Sequence, residues 1–242
     1  LYWITSSLFL FLGLLMIGRA ISAASVDISV LNAFATWPVN AYTFMIGAVS
    51  QFFISSLFVL MLSYQLNRNL ESMVTVDGMT GILNRRGLED AANKMQGLCK
   101  RIHMGMAVLL IDIDHFKKVN DKHGHLVGDD VLRHVTKVAS GVLRTGDVIG
   151  RYGGEEFAVF MPNTNESEAS ILAERIRAAV ESHTFEEGSL SVPVSVSIGT
   201  ADSIRAGYDF KGLIAAADTT LYAAKKAGRN RVLRYTEVKL AV

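Results

Sequence analysis

Hydrophobic and polar positions are distributed differently in the first third of the chain than in the remainder. Residues 1–18 carry no charge, and a second uncharged run covers residues 41–64. Each run approaches the roughly 20 apolar residues with which a helix crosses a bilayer. The pattern therefore predicts a transmembrane region over residues 1–64, with crossings at about 1–18 and 41–64.

A short segment with helical periodicity follows the second run. Residues 65–76 place Leu66, Leu70, Met73 and Val74 at helical spacing. We predict a helical linker here, which could pair with a second copy of itself as a short coiled coil.

The distribution of basic residues predicts the orientation of the chain. Arg68, Arg85 and Arg86 follow the second run, whereas Arg19 alone lies between the two runs. Positive charge collects on the cytoplasmic side of membrane proteins. We therefore expect residues 77–242 to form a cytoplasmic domain.

Residues 77–242 alternate between strand-like and helical patterns. The apolar run 105–112 is typical of a buried strand, and the period-two alternation over 192–201 indicates another. Segments 126–144, 167–183 and 210–228 carry apolar residues at helical spacing. The predicted order β-α-α-β-β-α-β-α-β gives an α+β fold, a palm-like or ferredoxin-like mixed sheet with surrounding helices packed on one face.

The segment RYGGEEF, residues 151–157, joins two of these strands. Its Gly-Gly pair predicts a tight turn, because two-residue hairpin turns need the positive φ that glycine adopts readily. Glu155 and Glu156 would then start the returning strand and face opposite sides of the sheet. One of them needs a partner, and Asp112 at the end of the buried strand is the candidate.

Asp112 and Asp114 end the most apolar strand, where an unpaired carboxylate is costly. Such residues either cap the next helix or bind a cation. We predict a cap for Asp114. For Asp112 we predict a Mg²⁺ site shared with substrate phosphates, which suits carboxylate ligands without Cys or His.

Composition narrows the function further. The chain has 24 basic and 23 acidic residues, which gives no support for nucleic-acid binding. Cys99 is the only cysteine, so no disulfide forms within the chain. The six histidines lack the spacing and the partners of a zinc site.

Five segments resemble, in order, the signatures of the GGDEF-domain diguanylate cyclases: DGMTGILNRRGL, DIDHFKKVNDKHGHLVGDDVLR, RYGGEEF, SIGTA and LYAAKKAGRNR. The resemblance covers about residues 75–235. It implies that two GTP molecules are condensed into cyclic di-GMP and two pyrophosphates in a homodimer, with Mg²⁺ or Mn²⁺ as the cofactor. Together with the two predicted crossings, it leads us to expect a multi-pass protein of a bacterial inner membrane, with this domain as the output of a sensor.

The resemblance assigns roles to particular residues. It implies metal binding by Asp112, the backbone carbonyl of Ile113 and Glu155, with Glu155 also the proposed general base. The remaining residues that it marks are the guanine-reading pair Asn120 and Asp129; the phosphate contacts Lys117, Lys225 and Arg229; the motif residues Gly153, Gly154, Glu156 and Phe157; and a product-binding inhibitory site of Arg144 and Asp147 with Arg175 as a secondary contact.

Two other functions are compatible with this fold. A catalytically silent receptor would bind GTP or cyclic di-GMP and signal through protein contacts, although such members usually have a degenerate hairpin motif. A cyclase that forms a 3′,5′-cyclic mononucleotide shares the palm-like plan.

Overall fold

A computed structural model describes residues 38–239 other than Ser189, together with eight residues between 7 and 21. The predicted first crossing, 1–18, therefore lies mostly outside the described residues. Two compact units are present, one ending at Met73 and the other beginning at Val74.

The first unit contains one long helix, α1 (Pro38–Met73), which covers the second apolar run and most of the predicted linker. Its segment Met45–Asn67 has a mean hydropathy of 2.0 and is almost wholly exposed. Within the described part of the chain, this is the one helix long and apolar enough to cross a membrane. The division between membrane region and linker at residue 64 remains a prediction, because the helix runs through it without a break.

The second unit confirms the predicted α+β class and its mixed sheet with surrounding helices. Its helices are α2 (Arg85–Arg101), α3 (Phe116–His123), α4 (His125–Val142), α5 (Glu166–Ser182), α6 (Ser203–Ala206), α7 (Phe210–Lys226) and α8 (Tyr235–Lys239). Its strands are β1 (Met106–Ile113), β2 (Val148–Arg151), β3 (Glu156–Pro162), β4 (Phe185–Glu187), β5 (Leu190–Val192), β6 (Val196–Asp202) and β7 (Val232–Arg234).

The main sheet has the strand order β2-β3-β1-β6-β7, with the most apolar strand at its centre. The pairs β2–β3, β3–β1 and β1–β6 are antiparallel, and β6–β7 is parallel. In this register Asp112 stands opposite Glu156 on one side and Ser197 on the other.

Helices cover both faces of the sheet, so the prediction that they pack on one face is wrong. Every residue of β1 is buried. Leu109 and Ile111 point into a core with α4 and α5, whereas Val108 and Leu110 point into a second core with α2 and α7. A strand that is apolar at each position needs cover on both sides, because neighbouring side chains face opposite ways.

The predicted elements appear in the predicted order, and the structure adds helix α2, the β4–β5 hairpin and the short helices α6 and α8. Helix α2 is strongly polar and buries mainly Leu88, Ala92 and Cys99 on its inner face. Asn84 caps it by accepting a hydrogen bond from the amide of Gly87 at 2.9 Å. Strands β4 and β5 form a separate hairpin of three-residue strands, too short to leave a pattern in the sequence.

The loop between β2 and β3 differs from the predicted two-residue turn. It contains four residues, Tyr152 to Glu155, and neither Gly153 nor Gly154 adopts a left-handed backbone. The amides of Tyr152 and Gly153 both donate to the carbonyl of Glu156, at 2.8 and 3.1 Å. Strand β3 begins at Glu156, so Glu155 lies in the loop and the expected strand alternation does not apply to the two glutamates.

Candidate active site

Asp112 lies at the end of β1 with only 4% of its surface exposed. Its Oδ2 atom contacts Lys225 Nζ at 2.7 Å, across from the last turn of α7. Burial raises the pKa of Asp112; the hydrogen bond and charge of Lys225 and the charge of Arg229 oppose this rise without cancelling it, and repulsion from Asp114 adds to it. The carboxylate is therefore held in a place that favours an additional cation.

Glu155 stands beside this carboxylate. The amide of Ile113 donates to the Glu155 carbonyl at 3.3 Å, which ties the loop to the end of β1. Burial, followed by repulsion from Asp112 and a smaller contribution from Glu156, raises the pKa of Glu155 above its usual range, against the attraction of Lys225. The two predicted acidic ligands are thus close enough to interact electrostatically.

Glu156 is half-buried and its pKa is also raised, first by burial and then by repulsion from Asp112. It lines a cavity of about 350 Å³ between α7 and the β2–β3 loop, together with Tyr152, Lys211 and Asp218. Glu156 therefore stands between the Asp112 site and this cavity.

The donor set suits a hard divalent cation. Two carboxylates repel one another beside a single ammonium group, and a cation would relieve that repulsion. Among the described residues, no group of three or more His, Cys, Asp or Glu side chains is close enough to hold a metal by itself. A metal at Asp112 and Glu155 would therefore complete its shell with the Ile113 carbonyl, water and substrate phosphates.

Asp114 does not cap the helix that follows, contrary to prediction. Its carboxylate accepts hydrogen bonds from Ser195 Oγ at 2.8 Å, Ser197 Oγ at 2.7 Å and the amide of Asn230 at 2.9 Å. Helix α3 begins after His115, which makes no side-chain cap. Three donors from two other segments satisfy this buried carboxylate better than exposed helix amides could.

The predicted guanine-reading pair lies on neighbouring helices. Asn120 on α3 packs against Gly128 on α4, where a Cβ atom would collide with its amide oxygen. That oxygen, Oδ1, is buried and has no hydrogen-bond partner. Asp129 follows directly and is half-buried. The structure thus places Asn120 and Asp129 on successive helices, with Asn120 packed against the residue that precedes Asp129.

The predicted phosphate contacts differ in their surroundings. Lys225 is already paired with Asp112, and the charge of Arg229 also acts on that carboxylate. Lys117 is exposed on the first turn of α3. The structure thus brings Lys225 and Arg229 to the carboxylate pair and leaves Lys117 at the surface nearby.

The residues of the predicted inhibitory site, Arg144, Asp147 and Arg175, line one cavity of about 370 Å³. Arg144 Nε contacts Asp147 Oδ1 at 2.9 Å, and its Nη2 donates to the Pro162 carbonyl and to Thr164 Oγ1 at 2.8 and 2.6 Å. The Arg144 side chain is 56% exposed, whereas the side chain of Asp147 is almost wholly buried. The carboxylate therefore fixes an arginine that still faces solvent.

The family model described as "Diguanylate cyclase, GGDEF domain" matches residues 74–231. The chain belongs to the GGDEF-domain family. Its hairpin carries the variant GGEEF, with Glu155 in the position of the family's aspartate.

Relatives and solved structures agree with this assignment. The chain is 39% identical over 164 residues to "Probable diguanylate cyclase DgcC" of Escherichia coli K12, a match of 68% of this chain and 44% of DgcC. The chain thus spans less than half of the length of that curated relative. The GGDEF domain of DgcB from Caulobacter crescentus, solved with c-di-GMP, matches with 34% identity and a TM-score of 0.63 over 66% of this chain and 93% of that one. The active GGEEF domain of a diguanylate cyclase from Vibrio cholerae matches with 34% identity and a TM-score of 0.59 over 63% and 96%.

The GGDEF motif residues have separate structural roles here. Phe157 is buried in the core beneath β3. A Cβ atom on Gly153 would collide with the Glu156 carboxylate, whereas a Cβ on Gly154 would meet open space. Gly154 therefore leaves the loop accessible on its outer side.

Sequence reasoning missed the residues that brace this GGDEF loop. Arg151 donates to the Gly154 carbonyl from Nε at 3.1 Å and from Nη2 at 2.7 Å. Its Nη1 reaches Asp77 at 3.3 Å, and Asp77 in turn accepts from the hydroxyl and amide of Thr80. Asp77 lies in the DGMTGILNRRGL segment, so its position in a family motif was the signal that could have found it.

Proposed function

We propose that this protein is a diguanylate cyclase, which condenses two GTP molecules into cyclic di-GMP and two pyrophosphates. The observation that carries the proposal is the interacting pair Asp112 and Glu155, whose raised pKa values mark a site short of positive charge. The match to a diguanylate cyclase family model and to a GGDEF domain solved with c-di-GMP supports the same reaction.

The cofactor in this proposal is Mg²⁺ or Mn²⁺, held by Asp112, the Ile113 carbonyl and Glu155. When bound, such a cation neutralises the triphosphate and stabilises charge on the transferring phosphoryl group. Lys225 would then exchange its contact with Asp112 for phosphate oxygens, and Arg229 and Lys117 would bind the remaining phosphate charge.

Glu155 is the proposed general base. It accepts the proton of a ribose 3′-hydroxyl as the 3′-oxygen forms a bond to the α-phosphorus of a second GTP and the bond to pyrophosphate breaks. In the metal-free protein, burial and repulsion from Asp112 raise the pKa of Glu155, and a bound cation would offset part of that rise. A single site holds one GTP, so the attacking hydroxyl comes from the GTP of a second protomer. The active form is therefore a homodimer.

We assign substrate selection to Asn120 and Asp129, and feedback inhibition to the residues that line the 370 Å³ cavity. Asp129 accepts hydrogen bonds from N1–H and the 2-amino group of guanine, which adenine cannot supply, and the side chain of Asn120 on the neighbouring helix is the second contact to the base. Arg144, Asp147 and Arg175 bind cyclic di-GMP as an inhibitory product, for which the planar guanidinium suits guanine edges and phosphates.

The domain acts at a membrane in this proposal. Helix α1 anchors it in the bacterial inner membrane, and a second crossing over residues 1–18 would make the protein multi-pass with the GGDEF domain in the cytoplasm. The membrane region then serves as the input of a sensor.

Turnover of GTP by the purified chain tests the proposal directly. The 242-residue chain in detergent micelles is incubated with GTP and Mg²⁺, and products are identified by mass spectrometry, with ATP as the matched control. We expect cyclic di-GMP and pyrophosphate from GTP alone, and a specific activity that rises with protein concentration through the dimerisation range.

Two results would redirect the proposal. A demonstrated dimer that binds GTP without forming product would favour the silent receptor, although the complete GGEEF motif argues against it. A product with the mass of cyclic GMP would indicate a mononucleotide cyclase.

A further inference from the structure

The turn after α7 has an unusual backbone. Gly228, Arg229 and Asn230 follow one another with φ of 115°, 63° and 45°. Glycine adopts such angles freely and asparagine tolerates them, but an arginine does so only where surrounding contacts over-determine its conformation. Arg229 is also the residue whose charge reaches Asp112 in the proposed active site. The left-handed backbone thus occurs at Arg229, the residue that is proposed to contact the substrate phosphates.

Asn230 uses its amide and both ends of its side chain to hold this turn. Its backbone amide donates to Asp114 Oδ2 at 2.9 Å. Its Oδ1 accepts from Arg177 Nη1 at 2.8 Å, and its Nδ2 donates to Glu181 Oε1 at 2.7 Å. The turn is therefore attached to the end of β1 on one side and to helix α5 on the other.

Both attachments are themselves rigid. Asp114 is buried and accepts hydrogen bonds from Ser195, just before β6, and from Ser197 within it. Arg177 is largely buried and pairs with Glu174 and Glu181 on its own helix, at 2.6 Å to each. These hydrogen bonds, first that to Glu174, hold the pKa of Arg177 above its usual range, so the donor to Asn230 is permanently charged.

We propose that Asn230 is a positioning residue, clamped between Asp114 and the Arg177–Glu181 pair, that keeps Arg229 in its left-handed conformation and directs its guanidinium toward the GTP triphosphate. The inference rests on the proposed function for the substrate, but Asn230 itself touches no substrate. Its whole contribution to GTP binding passes through Arg229.

A double-mutant cycle in the full chain tests this dependence. The probe is guanosine 5′-[α,β-methylene]triphosphate with Mg²⁺, and Kd is measured by calorimetry, so that binding is separated from turnover. We expect Arg229→Ala and Asn230→Ala each to raise Kd by about tenfold, the loss of one charge-assisted hydrogen bond. The double variant should bind no more weakly than Arg229→Ala alone.

Additional variants separate positioning from simple stability. Arg177→Met releases one side of the clamp and should raise Kd about fivefold, while Arg234→Met, which removes an exposed ion pair with Glu237, should leave Kd unchanged. Asn230→Gly keeps the left-handed backbone accessible and should bind more tightly than Asn230→Ala. A Kd for Asn230→Ala equal to that of the parent, or fully additive effects in the double variant, would overturn the inference.

Failure of the proposed reaction is distinguishable from failure of this inference. A parent chain that binds the analogue and shows the non-additive cycle, yet forms no cyclic di-GMP, would refute the cyclase function and retain the positioning role. A parent chain that does not bind the analogue would overturn both.

Discussion

Individual carboxylates in this domain occupy opposite electrostatic environments. Burial raises the pKa of Asp112 beyond what Lys225 can offset, whereas for Asp77 the hydrogen bonds of Thr80 and the charge of Arg151 outweigh burial and lower the pKa. The ionised carboxylate of Asp112 therefore lowers the free energy of unfolding, whereas that of Asp77 raises it. Residues that bind a cofactor commonly carry such a cost.

The thermal stability of the metal-free chain should reveal this difference. Asp112→Asn should raise Tm near pH 7 by about 2–4 °C, the change that about 1 kcal/mol causes in a domain of this size. The folded pKa of Asp112 exceeds the unfolded one, so the gain should vanish as the pH falls below about 4, where the parent carboxyl is protonated in both states. Scanning calorimetry of the variant and the parent, at several pH values from about 7 to below about 4, measures the difference in Tm.

Asp77→Asn supplies the matched comparison. Because the folded pKa of Asp77 is lowered, its stabilisation is present above the unfolded pKa and is lost as the pH falls through the folded one. This variant should lower Tm at pH 7. Equal shifts of the same sign in both variants would contradict the electrostatic assignment.

Glu155→Gln addresses the proposed general base. We expect turnover of GTP to fall at least about 100-fold, the usual contribution of general base catalysis. Tm near pH 7 should not fall, because the substitution removes a carboxylate whose pKa is raised by burial and by repulsion from Asp112. Glu186→Gln, on the exposed strand β4, is the control and should retain full activity. Substantial cyclic di-GMP formation by Glu155→Gln would remove Glu155 from the catalytic role.

The elements around the active site are held both by contacts between distant segments and by local caps. Helix α7, which carries Lys225, crosses β6 at Gly199, where a Cβ atom would overlap the carbonyl of Ala217 and the amide of Leu221. Helix α5 begins with a capping box between Asn165 and Glu168. The first contact depends on two segments distant in sequence, and the second is local.

Gly199→Ala should separate α7 from the sheet. We expect a loss of about 1–3 kcal/mol in the free energy of unfolding, the usual cost of overpacking, and a weaker affinity for GTP because Lys225 moves with the helix. Chemical denaturation of the full chain measures the first effect. Gly97→Ala, in open space on α2, should instead stabilise by about 0.5–1 kcal/mol. A neutral Gly199→Ala would mean that the helix and the sheet tolerate greater separation.

The elements also differ in how far the sequence predicts them. Strand β1 and helices α4, α5 and α7 carry long apolar patterns and appear where expected. Helix α2 places Leu88, Ala92, Met95 and Cys99 at helical spacing, so its absence from the predicted elements was an oversight and not a limit of the sequence. Strands β4 and β5 have three residues each, which is too short for periodicity to detect.

At the scale of the whole domain, the predicted product cavity is lined by residues separate from those of the carboxylate site. Arg144 and Arg175 reach it from the end of α4 and from α5, while Asp112 and Glu155 lie at the end of β1. If product binds here as proposed, it acts away from the carboxylate pair, so we expect its inhibition to be removable without loss of catalysis.

Arg144→Ala should relieve this inhibition. We expect initial rates near those of the parent, with the concentration of cyclic di-GMP needed for half inhibition raised at least about tenfold through loss of a charge-assisted contact. Arg234→Ala, which removes an arginine that does not line this cavity, is the control. Unchanged inhibition in Arg144→Ala would reduce the RTGD segment to a structural turn.

The sequence alone determined the fold class, the order of the main elements, the long apolar helix and the residues of the candidate site, because these depend on local periodicity and on ordered family motifs. It could not determine that helices cover both faces of the sheet, that Asp114 binds Ser195, Ser197 and Asn230, or that the GGEEF loop has four residues. Only the tertiary structure decided these features, because each depends on hydrogen bonds and packing between segments far apart in the chain. The pairing of Asn230 with Arg177, 53 residues earlier, is of this kind.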